Sequence, residues 1–182
     1  MHVIDTPLPG LKVIEPKAFG DERGFFFESF NRASFARMLG RDIDFVQDNH
    51  SSSRHGVLRG LHYQRPPNAQ AKLVRCTAGA VFDVAVDMRR SSSAFGRWFG
   101  LELSAENRKQ LWIPEGFAHG FLVTGEQAEV QYKTSAYWSP QDEEILLWCD
   151  PFVGVRWPDG LTPILSEKDA KGRRFDDAHH FP

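Results

Sequence analysis

The chain has 182 residues, 41% of them hydrophobic and 25% charged, which is typical of one soluble globular domain rather than a disordered or fibrous chain. With a formal net charge of −2, the chain lacks the excess of positive charge that binding to nucleic acid or an anionic membrane requires, so we expect neither as a partner. The two cysteines, Cys76 and Cys149, are too few for a disulfide framework, and no apolar run has the length of a membrane span. We therefore expect a cytoplasmic protein with reduced thiols.

From residue 11 onward, short apolar runs alternate with Gly, Pro, Asn and Ser, a spacing typical of a β-sandwich or barrel. One short helix is predicted over residues 31–40, because Asn31 can cap its start and Gly40 can end it. After residue 160 the composition becomes polar, which predicts a tail with one helical turn docked on a single domain spanning residues 1–182. Eleven predicted strands require two sheets or a closed barrel: 13–19, 25–30, 45–51, 57–64, 72–77, 81–86, 98–103, 110–113, 120–123, 130–135 and 144–148.

Two histidine motifs fall on this predicted β framework, GVLRGLHYQ at residues 56–64 and PEGFAHGF at residues 114–121. Both resemble the paired motifs of the cupin barrel, which in metal-binding members supply histidines and a glutamate as ligands. His62 and His119 occupy ligand positions, but Gln64 replaces one histidine and Lys72 replaces the glutamate. Because a divalent metal needs three or four converging donors, the sequence predicts a cupin barrel without a metal ion.

The residues at these positions favour acid–base chemistry beside a carbonyl group. Two imidazoles and an ammonium group in a half-buried cavity can remove a proton and stabilise the negative charge that results. A single histidine on a strand is more often structural, so the functional interpretation depends on His62, His119 and Lys72 occurring together. The side chain of Asp83, in the middle of a predicted strand, faces either solvent or a polar cavity.

Three further side chains have both a structural and a functional interpretation. Arg59 is either a solvated cation or a ligand for phosphate, whose oxygens match the planar guanidinium. Tyr132 either packs on its strand or returns a proton to the face opposite His62. Trp138 either caps the core or forms a stacking platform for a nucleobase. The residues alone do not decide between these alternatives.

Many separated segments, among them FGDERGFFFESF, FVQDNHSSS, LSAENRKQLWIPEGFAHGFLV and YKTSAYWSP, closely resemble the dTDP-4-dehydrorhamnose 3,5-epimerase family. The resemblance extends from Val3 to about Phe175. It implies an all-β, cupin-type double-stranded β-helix, or jelly-roll barrel, with a few short helices. It also implies a homodimer that needs no metal or organic cofactor. The implied reaction inverts C3 and C5 of dTDP-4-dehydro-6-deoxy-D-glucose to give dTDP-4-dehydro-L-rhamnose, a precursor of dTDP-L-rhamnose for cell-surface polysaccharide.

The resemblance also implies roles for the residues that carry the chemistry. His62 is the expected base, Tyr132 the expected acid, and Lys72 the group that stabilises the C4 enolate. Asp169 is expected to orient His62, as a carboxylate fixes an imidazole tautomer in other enzymes. Asp83 is a lower-ranked candidate for holding either histidine of the motifs.

The expected binding site is larger than this catalytic group. Trp138 stands where the family often has a tyrosine that stacks on thymine, and an indole ring stacks at least as well. Residues near the N-terminus are expected to serve the neighbouring subunit of a dimer. The residues expected to bind substrate are Arg23, Glu28, Gln47, Asp48, Asn49, Arg59, Lys72, His119, Trp138, Glu143 and Lys168.

Three other functions are compatible with parts of the pattern. A single-carbon epimerase, acting at C3 or C5 of another dTDP-4-keto-deoxysugar, would share the barrel and most of the site. A non-catalytic cupin would bind a sugar nucleotide without exchanging its protons. A metal-dependent cupin oxygenase is disfavoured by the replacement of two metal ligands.

Overall fold

Two long antiparallel strands form the centre of the fold in the computed structural model, which describes residues 2–182. They are Lys72–Asp87 and Phe117–Thr134, of 16 and 18 residues. The sequence predicts each as two separate strands, because glycine-containing segments interrupt the apolar pattern. That prediction is wrong, because the strands bend at β-bulges and stay in the sheet. Gly79, beside one bulge, has a φ of 69°, a conformation that favours glycine.

Eleven strands, two short α-helices and one 3₁₀ turn make up the regular structure of residues 2–182. The strands are β1 (His2–Asp5), β2 (Lys12–Glu15), β3 (Ala18–Asp21), β4 (Gly24–Phe27), β5 (Gln47–Arg54), β6 (Leu58–Gln64), β7 (Lys72–Asp87), β8 (Trp98–Ser104), β9 (Gln110–Ile113), β10 (Phe117–Thr134) and β11 (Glu143–Ile145). The helices are α1 (Arg32–Leu39) and α2 (Glu167–Ala170), and the 3₁₀ turn is Phe175–Asp177.

The two halves of each long strand belong to different walls of the barrel. The first half of β7 pairs with β9 and the second half with β8. The first part of β10 pairs with β6 and the later part with β5. Side chains of both walls, such as Val74 on one and Phe121 on the other, pack in one shared apolar cluster. The predicted all-β jelly-roll architecture is confirmed.

Helix α1 begins and ends where the sequence predicts, which confirms Asn31 and Gly40 as its capping residues. The side chain of Asn31 accepts a hydrogen bond from the backbone N–H of Ser34 at 3.0 Å, and Gly40 ends the helix with a φ of 71°. The ring of Phe35 is buried edge-on against Trp112 of β9. The helix therefore covers one end of the sheet.

The N-terminal strands differ from the prediction. The run 13–19 is two strands, β2 and β3, because Pro16 cannot donate to a strand ladder. The unpredicted strand β1 pairs with β2 at the edge of the main sheet. Strands β3 and β4 form a separate hairpin, which exposes Phe19, Phe25 and Phe26 to solvent.

The segment after residue 160 docks on the barrel through buried aromatic residues. The rings of Phe175 and Phe181 are buried, and the N–H of Phe181 donates to the carbonyl of Met88 at 2.9 Å. This docking brings α2 against β6 and buries the carboxylate of Asp169. Among residues 2–182, none of the helices combines the length and apolar character that a membrane crossing requires.

Candidate active site

Strand register brings several predicted site residues to one face of the sheet. Tyr132 on β10 lies opposite Asn49 on β5, and Lys72 on β7 lies opposite Thr134, two residues further along β10. Because alternate residues of paired strands share a face, these side chains project together. They line an open cavity of about 380 Å³ that includes Gln47, Asn49, His62, Lys72, Tyr132, Trp138 and Glu143.

A narrower extension of about 110 Å³ continues this cavity into the barrel. The two spaces share His62, Lys72 and Tyr132, and the extension adds Arg59 and His119. The two spaces therefore form one continuous site. The side chains of this site supply cationic, acidic and aromatic groups together, the combination expected of an acid–base site for a charged ligand.

His62 on β6 forms a dyad with Asp169 of α2. The ring Nε2 lies 2.5 Å from Oδ1 of Asp169, which leaves Nδ1 free to accept a proton. Ser166 caps α2 and fixes the acid twice: its Oγ accepts from the Asp169 N–H at 3.1 Å and donates to Oδ2 at 2.8 Å. Burial raises the pKa of Asp169, but the hydrogen bonds from His62 and Ser166 outweigh it and leave the pKa below its usual value. Asp169 is therefore an ionised carboxylate at neutral pH, hydrogen-bonded to the His62 ring.

Lys72 places a cation inside the barrel beside this dyad. Its side chain is 6% exposed, and Nζ donates to the backbone carbonyl of His62 at 3.1 Å. Burial lowers the pKa of Lys72 to about 8, while the negative charges of Asp83 and Glu143 act in the opposite direction. The lysine is thus charged at neutral pH but can lose its proton under mildly alkaline conditions.

Asp83 holds the second histidine of the motifs. Nε2 of His119 lies 3.0 Å from both carboxylate oxygens of Asp83, and both side chains are buried. Burial lowers the pKa of His119, although the charge and hydrogen bond of Asp83 oppose this. Of the two acids considered from the sequence, Asp169 contacts His62 and Asp83 contacts His119.

Tyr132 and Arg59 complete the inner part of the cavity. Burial raises the pKa of the Tyr132 phenol, so the hydroxyl keeps its proton at neutral pH and can donate it. The positive charge of Arg59 acts against this rise. Nε of Arg59 donates to Oγ of Ser53 at 2.9 Å, which fixes the direction of the guanidinium.

The family model described as dTDP-4-dehydrorhamnose 3,5-epimerase matches residues 5–177. The chain belongs to this family. It is 57% identical over 181 residues to the dTDP-4-dehydrorhamnose 3,5-epimerase of Shigella flexneri, covering 100% of this chain and 99% of that protein. It is 49% identical in sequence to the dTDP-6-deoxy-D-glucose-3,5-epimerase of Legionella pneumophila, whose crystal structure was solved in complex with dTDP-4-keto-L-rhamnose. The two structures superimpose with a TM-score of 0.93, covering 97% of this chain and 93% of that one. A 3′-monoepimerase from Streptomyces bikiniensis is 33% identical, with a TM-score of 0.91 over 97% and 87% of the two chains.

Four residues expected from the epimerase family resemblance lie outside this cavity or at its edge. Arg23 pairs with Asp21 in the exposed β3–β4 hairpin, and Glu28 accepts from the Asn31 amide at 3.1 Å. Asp48 projects to the opposite face from its neighbours in β5 and binds Lys133 at 2.9 Å. The ammonium group of Lys168 contacts Glu143, which lines the main cavity.

The sequence reasoning missed two residues that shape this candidate site. Ser166 was not considered, although the spacing Ser-x-x-Asp at the start of α2 resembles a capping box. Gln64 was considered only as a lost metal ligand, yet its buried amide lines the cavity and binds backbone groups. One partner, Asn68, is four residues away, but Tyr137 and Ser139 follow more than 70 residues later, so no local pattern indicates them.

The donors that the site offers to a metal ion are few. Within residues 2–182, no group of three or more His, Cys, Asp and Glu side chains is arranged to hold one. Instead, the two histidines of the cupin motifs each bind a separate carboxylate, and Lys72 lines the inner extension together with both of them.

Proposed function

We propose that this protein is a dTDP-4-dehydrorhamnose 3,5-epimerase that converts dTDP-4-dehydro-6-deoxy-D-glucose to dTDP-4-dehydro-L-rhamnose. The observation that carries the proposal is the His62–Asp169 dyad, whose histidine lines one cavity with Lys72 and Tyr132 in a member of this family. Identity to the compared 3,5-epimerases is 38–57%, against 33–34% to the monoepimerase, which favours inversion at both carbons.

The C4 ketone of the substrate acidifies the hydrogens on C3 and C5. His62 accepts one of these protons while the C–H electron pair moves onto the C4 oxygen, and Asp169 stabilises the imidazolium that forms. The ammonium group of Lys72 stabilises the negative C4 oxygen. Tyr132 donates its proton to the opposite face of the carbon, and exchange with solvent restores both groups. The same sequence at the second carbon completes the reaction without a cofactor.

The rest of the substrate is bound by residues of both spaces, from Arg59 in the inner extension to Trp138 at the mouth of the cavity. Arg59 and Lys168 supply positive charge for the diphosphate, and Trp138 supplies a face for the thymine ring. Gln47, Asn49, His119 and Glu143 supply hydrogen bonds around the sugar and the base. Asp48 has no position in this arrangement because it faces away from the cavity.

The protein acts as a homodimer in which Arg23 and Glu28 serve the neighbouring site. The β3–β4 hairpin that carries Arg23 exposes three phenylalanine rings and lies apart from the cavity of its own chain. Asp169 comes from the C-terminal segment and completes a site on β6, so residues 1–182 act as one domain. The thiols of Cys76 and Cys149 are free, which suits a reducing cytoplasm.

Turnover in D₂O followed by proton NMR of the product tests the function. Inversion at both carbons, with deuterium at C3 and C5, is the expected result. Deuterium at one carbon alone would identify a single-carbon epimerase, and binding without exchange would identify a non-catalytic sugar-nucleotide cupin. His62→Ala is the control: with folding confirmed by circular dichroism, it should lose nearly all exchange, and an active variant would contradict the mechanism.

A further inference from the structure

Gln64 lies on β6 two residues after His62, so both side chains project from the same face of the strand. It is the position at which metal-binding cupins have a histidine ligand. Its side chain is buried and lines the main cavity, but its amide is directed at backbone groups. The catalytic steps above make no use of it.

The amide of Gln64 uses both of its donor hydrogens and its acceptor. Nε2 donates to the carbonyl of Asn68 at 2.6 Å and to the carbonyl of Tyr137 at 3.1 Å. Oε1 accepts from the N–H of Ser139 at 2.8 Å. Only an amide supplies this set of donors and acceptor: a glutamate has no donor when ionised, and a neutral histidine has one donor and one acceptor. The partners therefore specify glutamine at this position.

Two of these partners lie on either side of Trp138. The Trp138 N–H donates to Oε1 of Gln47 at 3.0 Å, so the backbone is held at three consecutive residues. Trp138 is 57% exposed and lines the mouth of the cavity. An exposed ring on a fixed backbone is arranged before a ligand arrives, which lowers the ordering cost of binding.

We propose that Gln64 is a positioning residue that holds the Trp138 loop so that the indole is ready to stack on the thymine base. This inference rests on the proposed function, because it takes the ligand of Trp138 to be a thymidine nucleotide. The position that binds metal in other cupins serves nucleotide affinity here, while His62 of the same motif serves catalysis. Gln64 acts through Trp138 and does not contact the reacting carbons.

The variant Gln64→Leu keeps the approximate size of the side chain and removes all three hydrogen bonds. Loss of two hydrogen bonds that fix the loop should raise the Kd for dTDP and the KM for the sugar nucleotide about tenfold. The kcat should stay within about twofold, since a uniform loss of binding raises KM alone. Gln127→Leu, the same substitution at an exposed glutamine of β10 outside the cavity, is the matched control, and both constants should be unchanged.

A double-mutant cycle separates this role from a general structural one. In a Trp138→Ala background, Gln64→Leu should change the Kd for dTDP by less than about twofold, because the group through which it acts is gone. Independent, additive losses would overturn the proposal, and so would a fall in kcat at constant KM. If Gln64→Leu does not fold, Gln64→Asn, which keeps the amide but shortens its reach, is measured in the same cycle. Wild-type protein that neither binds dTDP nor exchanges substrate protons would contradict the proposed function itself.

Discussion

Replacement of Lys72 by methionine should abolish turnover and at the same time stabilise the fold. The ammonium group lies inside the barrel, where burial lowers its pKa from 10.5 to about 8. A lowered pKa means that the folded state disfavours the charged form relative to the unfolded chain. A side chain of similar length without a charge removes that cost.

The magnitude follows from the pKa shift. The change from 10.5 to about 8 corresponds to about 3 kcal/mol of destabilisation at neutral pH. The variant also loses the hydrogen bond from Lys72 to the carbonyl of His62, which contributes about 1 kcal/mol. The net gain at pH 7 is therefore about 2 kcal/mol, or a rise in Tm of about 4–8 °C for a chain of this size.

The pH dependence gives the decisive measurement. Between pH 8 and 10.5 the unfolded chain keeps a proton that folded Lys72 has lost, so wild-type stability rises with pH across this window relative to the variant. Urea unfolding of both proteins should show a gain at pH 7 that shrinks by pH 10, with Lys17→Met, at an exposed lysine, as the control without gain. A variant that is less stable at pH 7, or a gain that is equal at both pH values, would refute this reasoning.

Three further variants test the catalytic roles. Asp169→Asn should lower kcat by about 10²–10⁴-fold with little change in KM, because the imidazolium that forms at His62 during turnover loses its counter-charge. A coupled reductase assay measures both constants, and an effect on KM alone would contradict this role. Tyr132→Phe should still exchange substrate protons with D₂O but retain configuration at carbon, and inversion at the wild-type rate would exclude Tyr132 as the acid. In the wild type, kcat is expected to fall above about pH 8 as Lys72 loses its proton. Asp83→Asn removes a charge that raises the pKa of Lys72, so this fall should begin at lower pH, and an unmoved profile would contradict the coupling.

The sequence predicts best those parts of the site that are set by one strand and its immediate neighbours. His62 and Gln64 alternate along β6, and the caps of α1 are confirmed at Asn31 and Gly40. Asp48 shows the limit of a resemblance that names residues as a group: strand alternation directs it away from Gln47 and Asn49, and the structure pairs it with Lys133. The break predicted near Gly79 was wrong because glycine and small residues mark a β-bulge as readily as a turn.

The two histidine–carboxylate pairs differ in how far local rules could predict them. Asp83 and Ala85 share a face of β7, and Ala85 lies opposite His119 on β10, so the register alone makes Asp83 and His119 diagonal neighbours. Asp169 reaches His62 only because the segment after residue 160 folds back on the barrel through Phe175 and Phe181, contacts without any periodic pattern. A sequence pattern therefore indicates which residues carry the chemistry. The carboxylate that binds His62, in contrast, is set by how the C-terminal segment packs on the barrel. The same reasoning explains why the sequence analysis gives Gln64 only as the replacement of a cupin metal ligand: its partners at residues 137 and 139 come close only once the barrel has formed.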